Sequence, residues 1–295
     1  MAEYTYTAYG LSFRSDLALP ELSEGDPEIE SQVSIRLGSV PHSCDYGHPW
    51  GYRALDEGIV LLAPTVATFW VGGGDEIIVD PVPGVAPEVL RLFLLSRPLA
   101  MLLQARGLFA LHGSSVSVDN KALIFVGTKR AGKSTTAGAF HRRGATILND
   151  DISAINVGTN PPSVMAGWQR IKLWPDALAA LGHDHSSSEL LRDGVEKRAL
   201  SVHRPLSSWA VDVARIFVLS AGEELLIEEL KPAEQCMALV RHAYASPHWV
   251  GNDQEAGLFK SASDLAEAVS IECLRVPREI SQLDDLVDKI LTDRV

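Results

Sequence analysis

Between Gly127 and Ser134 the chain reads Gly-Thr-Lys-Arg-Ala-Gly-Lys-Ser, with Thr135 following. Glycines separated by four residues and closed by Lys-Ser form a phosphate-binding loop when a strand precedes them and a helix follows. The glycines let backbone N–H groups of Gly127, Thr128, Lys129, Arg130, Ala131 and Gly132 turn toward one concave point, where a helix N-terminus adds its partial positive charge. Lys133 then reaches the β and γ oxygens of a nucleoside triphosphate, and the Ser134 hydroxyl is placed to ligate magnesium. Seventeen residues beyond Lys133 stand two adjacent acids, Asp150 and Asp151. One carboxylate can hold magnesium while the other accepts the proton of an attacking hydroxyl. The chemistry these residues predict is binding of ATP with Mg2+ and transfer of the γ-phosphate to a hydroxyl group.

The elements needed to position them are legible nearby. Ala122–Val126 is a short apolar run of strand type, Ser134–Arg142 has helical composition closed by Gly144, and Ala145–Asn149 is a second strand whose end carries the acids. Further strands are expected at 115–118, 214–219 and 225–230, and helices at 232–244, 262–269 and 280–291. This alternation predicts an α/β domain with a mixed sheet, α+β when the front of the chain is included, over residues 86–295. Residues 1–85 show short alternating segments separated by Gly, Pro and Asp, and read as a small β-rich domain of hairpins, one of them turning at Gly72–Asp75. Apolar residues at helical spacing predict one helix from Pro87 to Arg106 linking the two. Ser186 to Lys197 reads as a polar loop, or as a short surface helix over 188–193.

With 26 basic against 38 acidic residues the net charge is −12, which opposes a general affinity for nucleic acid or anionic lipid. The most apolar stretch, 89–111, contains Arg91, Arg97 and Arg106 and is expected in a protein core, not a bilayer. The start lacks a signal-peptide pattern, so a cytoplasmic location is expected. Cys44, Cys236 and Cys273 are far apart and are expected to be reduced thiols.

The order of Leu111-His112-Gly113-Ser114, then the loop Gly127–Ser134, then Asp150-Asp151 resembles the C-terminal catalytic domain of HPr kinase/phosphorylase. The resemblance implies that His112 lies beside the phosphates before a short hairpin, that Asp150 is the general base and that Asp151 is a metal ligand. Two departures accompany it: Lys129-Arg130 occupies the middle of the loop, where enzymes acting on HPr usually have Ser-Gly, and no Glu-Ile-Arg-Gly-Ile-Gly segment follows. The segment Gly167 to Leu178, with Leu173-Trp174-Pro175-Asp176, is similar to the HPr-kinase-like proteins of lasso-peptide gene clusters. That likeness implies a precursor peptide as partner and its C-terminal serine as acceptor. A small-molecule or other protein serine kinase, a carboxykinase-like phosphoryl transferase, or a nucleotide-binding protein of a peptide-maturation pathway without turnover shares the same phosphate site, and a homo-oligomer is compatible with the family. Arg170 and Lys172 alternate on one strand face, where they would hold a peptide carboxylate, neutralise phosphate, or simply face solvent. Lys197-Arg198 is a further basic pair that would close over the nucleotide or be solvated.

Overall fold

The computed structural model describes residues 3–40, 51–55, 57–184, 188–192, 195–244, 252–277 and 282–292. Cys44 lies outside them, and Cys236 and Cys273 are free thiols. The front strands are β1 (Tyr4–Ala8), β2 (Leu11–Ser15), β3 (Ser23–Glu24), β4 (Val33–Leu37), β5 (Gly51–Leu55), β6 (Gly58–Ala63), β7 (Ala67–Gly72) and β8 (Glu76–Pro81). They form one eight-stranded sheet in the order β3-β1-β2-β4-β8-β7-β6-β5. The β7–β8 turn falls at Gly72–Asp75 as expected, but the hairpins do not stand apart. β4 runs parallel to both β2 and β8 and joins them, because an isolated hairpin is marginal in water and its open edges are satisfied by pairing.

The single helix expected over 87–106 is two, α1 (Pro87–Leu94) and α2 (Arg97–Ala105). Pro98 is the reason: it has no N–H for the Leu94 carbonyl, and its ring would collide with that carbonyl in a continuous helix. The apolar stretch then leaves helix altogether, entering β9 at Phe109. Among the described residues, no helix is long and apolar enough to cross a membrane. Buried Leu94, Leu99, Met101 and Leu102 pack with Phe13, Phe69 and Ile77 of the front sheet, and the same core takes in Ala110, Ile152 and Trp168 from farther along the chain.

Beyond the helices come β9 (Phe109–Val118), β10 (Lys121–Gly127), α3 (Lys133–Arg142), β11 (Thr146–Asn156) and β12 (Ser163–Met165). They are followed by β13 (Arg170–Leu173), α4 (Pro175–Ala180), β14 (Glu189–Arg192), β15 (Val195–Ser201), β16 (Ala210–Ala221) and β17 (Leu226–Glu229). The chain ends in α5 (Pro232–His242), α6 (Asn252–Ala268), β18 (Ser270–Val276) and α7 (Leu283–Thr292). A seven-stranded mixed sheet runs β10-β9-β11-β12-β16-β18-β17, with β10 also paired to β16. Within it β10, β16 and β18 are parallel, as expected for strands joined through helices. One core sets Phe140 of α3 against Phe125 and Phe217, and a second gathers Leu239, Leu258 and Leu265 of α5 and α6 against Ile124 and Ile216. Strands β13, β15 and β14 form a third, antiparallel sheet. Residues 189–192 and 195–197 are therefore in strands where a loop or surface helix was expected, and the second strand continues to Ser201; 185–187 and 193–194 lie outside the described residues. Leu190 pairing with Arg198 and Glu189 with Ala199 satisfies backbone groups that local composition alone leaves open. The fold is mixed α/β, in agreement with the alternation read from the sequence.

Candidate active site

β10 delivers the glycine loop and α3 leaves it, so the strand, loop and helix stand in the order a phosphate-binding loop requires. Gly127 has φ +155°, and a β-carbon there would lie 3.0 Å from the Leu219 carbonyl oxygen. Gly132, at φ +98°, is the residue from which α3 starts, a backbone that side chains other than glycine's adopt only under strain. Arg130 takes φ +69° and sets its guanidinium 5.4 Å over the Trp174 ring. The Lys133 ammonium donates to the carbonyls of Gly127 at 2.9 Å and Thr128 at 3.2 Å, bending back over the loop. Burial pushes the Lys133 pKa down, and the nearby charges of Asp150 and Asp151 push it back up.

The acids do not end their strand, as had been expected; they lie in the middle of the eleven-residue β11. β9 explains the length, since it begins at Phe109 and pairs with β11 from Thr146 to Ile155. His112, Gly113 and Ser114 are accordingly strand residues, with Ser114 facing Asp150, Gly113 facing Asp151 and His112 facing Ile152. A β-carbon on Gly113 would meet the Phe125 carbonyl at 2.7 Å, so glycine permits the close approach of β9 to β10. Successive strand residues normally point to opposite faces. Asp151 has φ +118°, which interrupts the pleat, and both carboxylates line one cavity. Such a backbone is held by its surroundings and concentrates where function requires it.

The two carboxylates have different partners. Asp150 Oδ1 accepts from the hydroxyls of Ser114 at 2.6 Å and Ser134 at 2.8 Å, while its Oδ2 accepts the Lys172 backbone N–H at 2.7 Å. Asp151 Oδ1 accepts from Tyr244 Oη at 2.9 Å and lies 3.1 Å from His112 Nδ1, and its Oδ2 accepts from Lys172 Nζ at 3.2 Å. Burial alone would raise the Asp151 carboxyl. The Lys172 ammonium, His112 and the Tyr244 hydroxyl outweigh it and hold the group well below the usual carboxylate range. An ionised carboxylate only accepts, so His112 Nδ1 carries a proton toward Asp151 and Nε2 is left for another partner.

A cavity of about 1050 Å³ joins these groups. The loop residues Thr128 to Thr135, His112, both acids, Lys172 and Lys197 all line it. Arg170 does not. Its side chain is only 15% exposed, and its guanidinium pairs with Glu189 at 2.7 Å and Glu21 at 3.6 Å, beside a separate cavity of about 90 Å³ near Arg91 and Trp168. Arg170 and Lys172 share a strand face as expected, yet the two-residue step separates their heads: Lys172 reaches Asp151, while Arg170 is taken by acids one pleat away. Arg198 donates to Ser188 Oγ at 2.8 Å, so of the second basic pair Lys197 alone lines the larger cavity.

Two residues in or beside the site had no sequence signal. Tyr244, just past α5, packs its ring edge-on to His112 with centroids 5.3 Å apart. His242, on the last turn of α5, is pushed down to about 4 by burial together with the charges of Lys133, Arg241 and His112, and is neutral at pH 7. The run Arg241-His242-Ala243-Tyr244 ends an ordinary amphipathic helix, and only the tertiary fold brings it to residues more than ninety positions earlier.

The residues fit a nucleoside triphosphate with magnesium. Glycines open the loop, an ammonium and a helix start converge on the cavity, and a serine hydroxyl already contacts a carboxylate. Among the described residues no three His, Cys, Asp or Glu side chains gather as a metal cage. Magnesium suits such a place, because it binds through one or two protein groups and completes its shell with phosphate oxygens and water.

No family model matches the chain, and no curated protein matches it significantly. Among solved structures it matches the Hpr(Ser) kinase/phosphatase from Coxiella burnetii, at 11% identity over 62% of this chain and 97% of that one, with a TM-score of 0.32. At that level of overlap, function rests on the residues themselves.

Proposed function

We propose that this chain is an ATP- and magnesium-dependent kinase that phosphorylates a serine hydroxyl, and that the acceptor is a peptide ending in that serine, as in a lasso-peptide precursor. The observation that carries the phosphoryl-transfer reading is the junction of the loop with the acids: Ser134, the second residue of α3, contacts Asp150 at 2.8 Å in the cavity that also holds Lys133, Asp151 and His112. The acceptor class rests on the likeness of the segment from Gly167 to Leu178 alone.

The geometry favours the opposite division of labour between the acids from the one the family resemblance implies. Asp150 stands with Ser134, and the two would hold magnesium, which would supply charge neutralisation at the phosphates. Asp151 and His112 form the side that faces the acceptor. A carboxylate held ionised is a weak base, and that suits phosphoryl transfer, where positioning and charge neutralisation dominate and little covalent chemistry is asked of the protein. Lys133 and the loop N–H groups bind the phosphates, and Lys172 fixes both acids at once through its backbone and its ammonium.

The test is incubation with ATP, magnesium and a synthetic peptide ending in serine, followed by mass spectrometry. Gain of one phosphoryl group on the terminal serine is expected, and absent when that serine is alanine. Phosphate on small hydroxyl compounds but never on peptide would replace the acceptor assignment. Tight ATP binding with no transfer to any acceptor would leave a nucleotide-binding protein.

A further inference from the structure

The His112–Asp151 pair has a third member supplied from far along the chain. Tyr244 meets both: its hydroxyl donates to Asp151 Oδ1 at 2.9 Å and its ring packs edge-on against the imidazole. It is well anchored. The Tyr244 backbone N–H donates to the Ala110 carbonyl at 2.8 Å, Ala243 bridges to Leu111, and the phenol oxygen lies 3.4 Å from Ser96 Oγ in the break between α1 and α2. The segment leaving α5 is thus stitched to β9 immediately before His112.

This arrangement constrains His112 in two ways. The aromatic ring forms one wall, limiting the imidazole's rotation, and Asp151 accepts a hydrogen bond from Nδ1–H. Asp151 is itself fixed by donors on both oxygens, Tyr244 on Oδ1 and Lys172 on Oδ2. Burial and the neighbouring Asp151 charge raise the Tyr244 phenol well above its ordinary range, so it remains a donor throughout the neutral range.

We propose that Tyr244 is a positioning residue that holds His112, through Asp151 and by direct ring contact, in one rotamer and in the Nδ1–H tautomer, presenting Nε2 to the cavity. It acts through its neighbours and needs no contact with substrate. The proposal rests on the kinase reading only for its effect on turnover; the state of the His112 ring is independent of it.

Two variants separate the two contacts. Tyr244→Phe keeps the ring wall and removes the donor, whereas Tyr244→Leu removes both. The direct measurement is ¹⁵N NMR of the histidine rings in the nucleotide-free protein at pH 8, with His112 assigned by its loss in His112→Gln. A single Nδ1–H form is expected in the native protein, a partial mixture in the Phe variant and an averaged mixture of tautomers in the Leu variant. Turnover of Mg·ATP, with water or a serine-ended peptide as acceptor, should fall about 3- to 10-fold in the Phe variant and on the order of 100-fold in the Leu variant, with KM for ATP within about two-fold. The graded loss, with the conservative variant retaining most function, marks positioning. An unchanged His112 tautomer in Tyr244→Leu overturns the proposal, as does a loss of ATP affinity matching the loss of turnover. If the native protein turns over no ATP while the tautomer behaves as expected, the kinase reading falls and the positioning role stands.

Discussion

Replacing Asp150 with asparagine tests the centre of the site, and the structure sets the size of the effect. Asp150 is 6% exposed and receives three donors: two serine hydroxyls on Oδ1 and the Lys172 N–H on Oδ2. An asparagine that kept its oxygen at the Oδ1 position would point its NH₂ at the Lys172 N–H, setting donor against donor at about 1–3 kcal/mol. The reverse orientation avoids this. Its oxygen accepts from Lys172, and the hydroxyls of Ser114 and Ser134 rotate to accept from the NH₂. All three bonds then survive as neutral ones, each weaker than its charge-assisted counterpart by about 1 kcal/mol, while burying an uncharged group recovers part of that loss. The expected net destabilisation of Asp150→Asn is about 2 kcal/mol, against about 3–5 kcal/mol for Asp150→Ala, which leaves buried donors unpaired. In the favoured orientation Ser134 no longer has a carboxylate beside it. Calorimetry should therefore show ATP binding without metal within about two-fold of native, and loss of most of the gain in affinity that magnesium brings. Urea unfolding gives the stability arm. A variant that keeps its full magnesium enhancement, or one as unstable as Asp150→Ala, refutes the assignment of Asp150 to the metal side.

Lys133→Ala should remain folded, since it loses only the two bonds to the loop carbonyls, while ATP affinity drops on the order of 100-fold, about 2.8 kcal/mol; near-native affinity by calorimetry would remove the loop from the site. Arg170→Glu should lower thermal stability by placing a third acid beside Glu21 and Glu189, with ATP affinity unaltered; a change confined to the peptide KM would instead return Arg170 to the acceptor site. Asp151 is depressed in the folded state relative to its ordinary value, so the stability it contributes is full above about pH 4 and declines as pH falls further. Lys172→Met removes the principal lowering charge, raises the Asp151 carboxyl and should flatten the fall in unfolding free energy between about pH 4 and 2; an unaltered slope would show that Lys172 does not set the Asp151 charge.

What the sequence reveals of this site is what lies close along the chain. Strand, loop and helix around Gly127 to Arg142 follow from a local apolar run, glycine freedom and a helix start, none of which depends on distant partners. The acids were placed near the phosphates by proximity to the loop, but their middle position in β11 depends on pairing with the full length of β9, and their facing one cavity accompanies the positive φ at Asp151. Neither can be read from Asn-Asp-Asp. Pro98 is a local signal whose effect, a broken helix, outranks the continuous apolar periodicity around it. Tyr244 and His242 carry no pattern of their own, and the parallel seams β2–β4 and β4–β8 are long-range contacts that alternation cannot specify.

Tyr9 belongs to the first ten residues, yet its hydroxyl donates to the Ile152 carbonyl at 3.1 Å, one position past the acid pair. Its ring meets Trp168 at 5.8 Å, edge to face, and a β-carbon on Gly167 would lie 2.7 Å from it. Positions 9 and 167 are therefore sterically coupled. A side chain at 167 would have to displace both the Tyr9 ring and the Asn149 side-chain oxygen, each 2.7 Å from its β-carbon, and loss of the Tyr9 hydroxyl would leave the Ile152 carbonyl without that donor. A segment carrying the glycine loop and the two acids, grafted onto a foreign front, would lack the Tyr9 contact that lies under its own carboxylates.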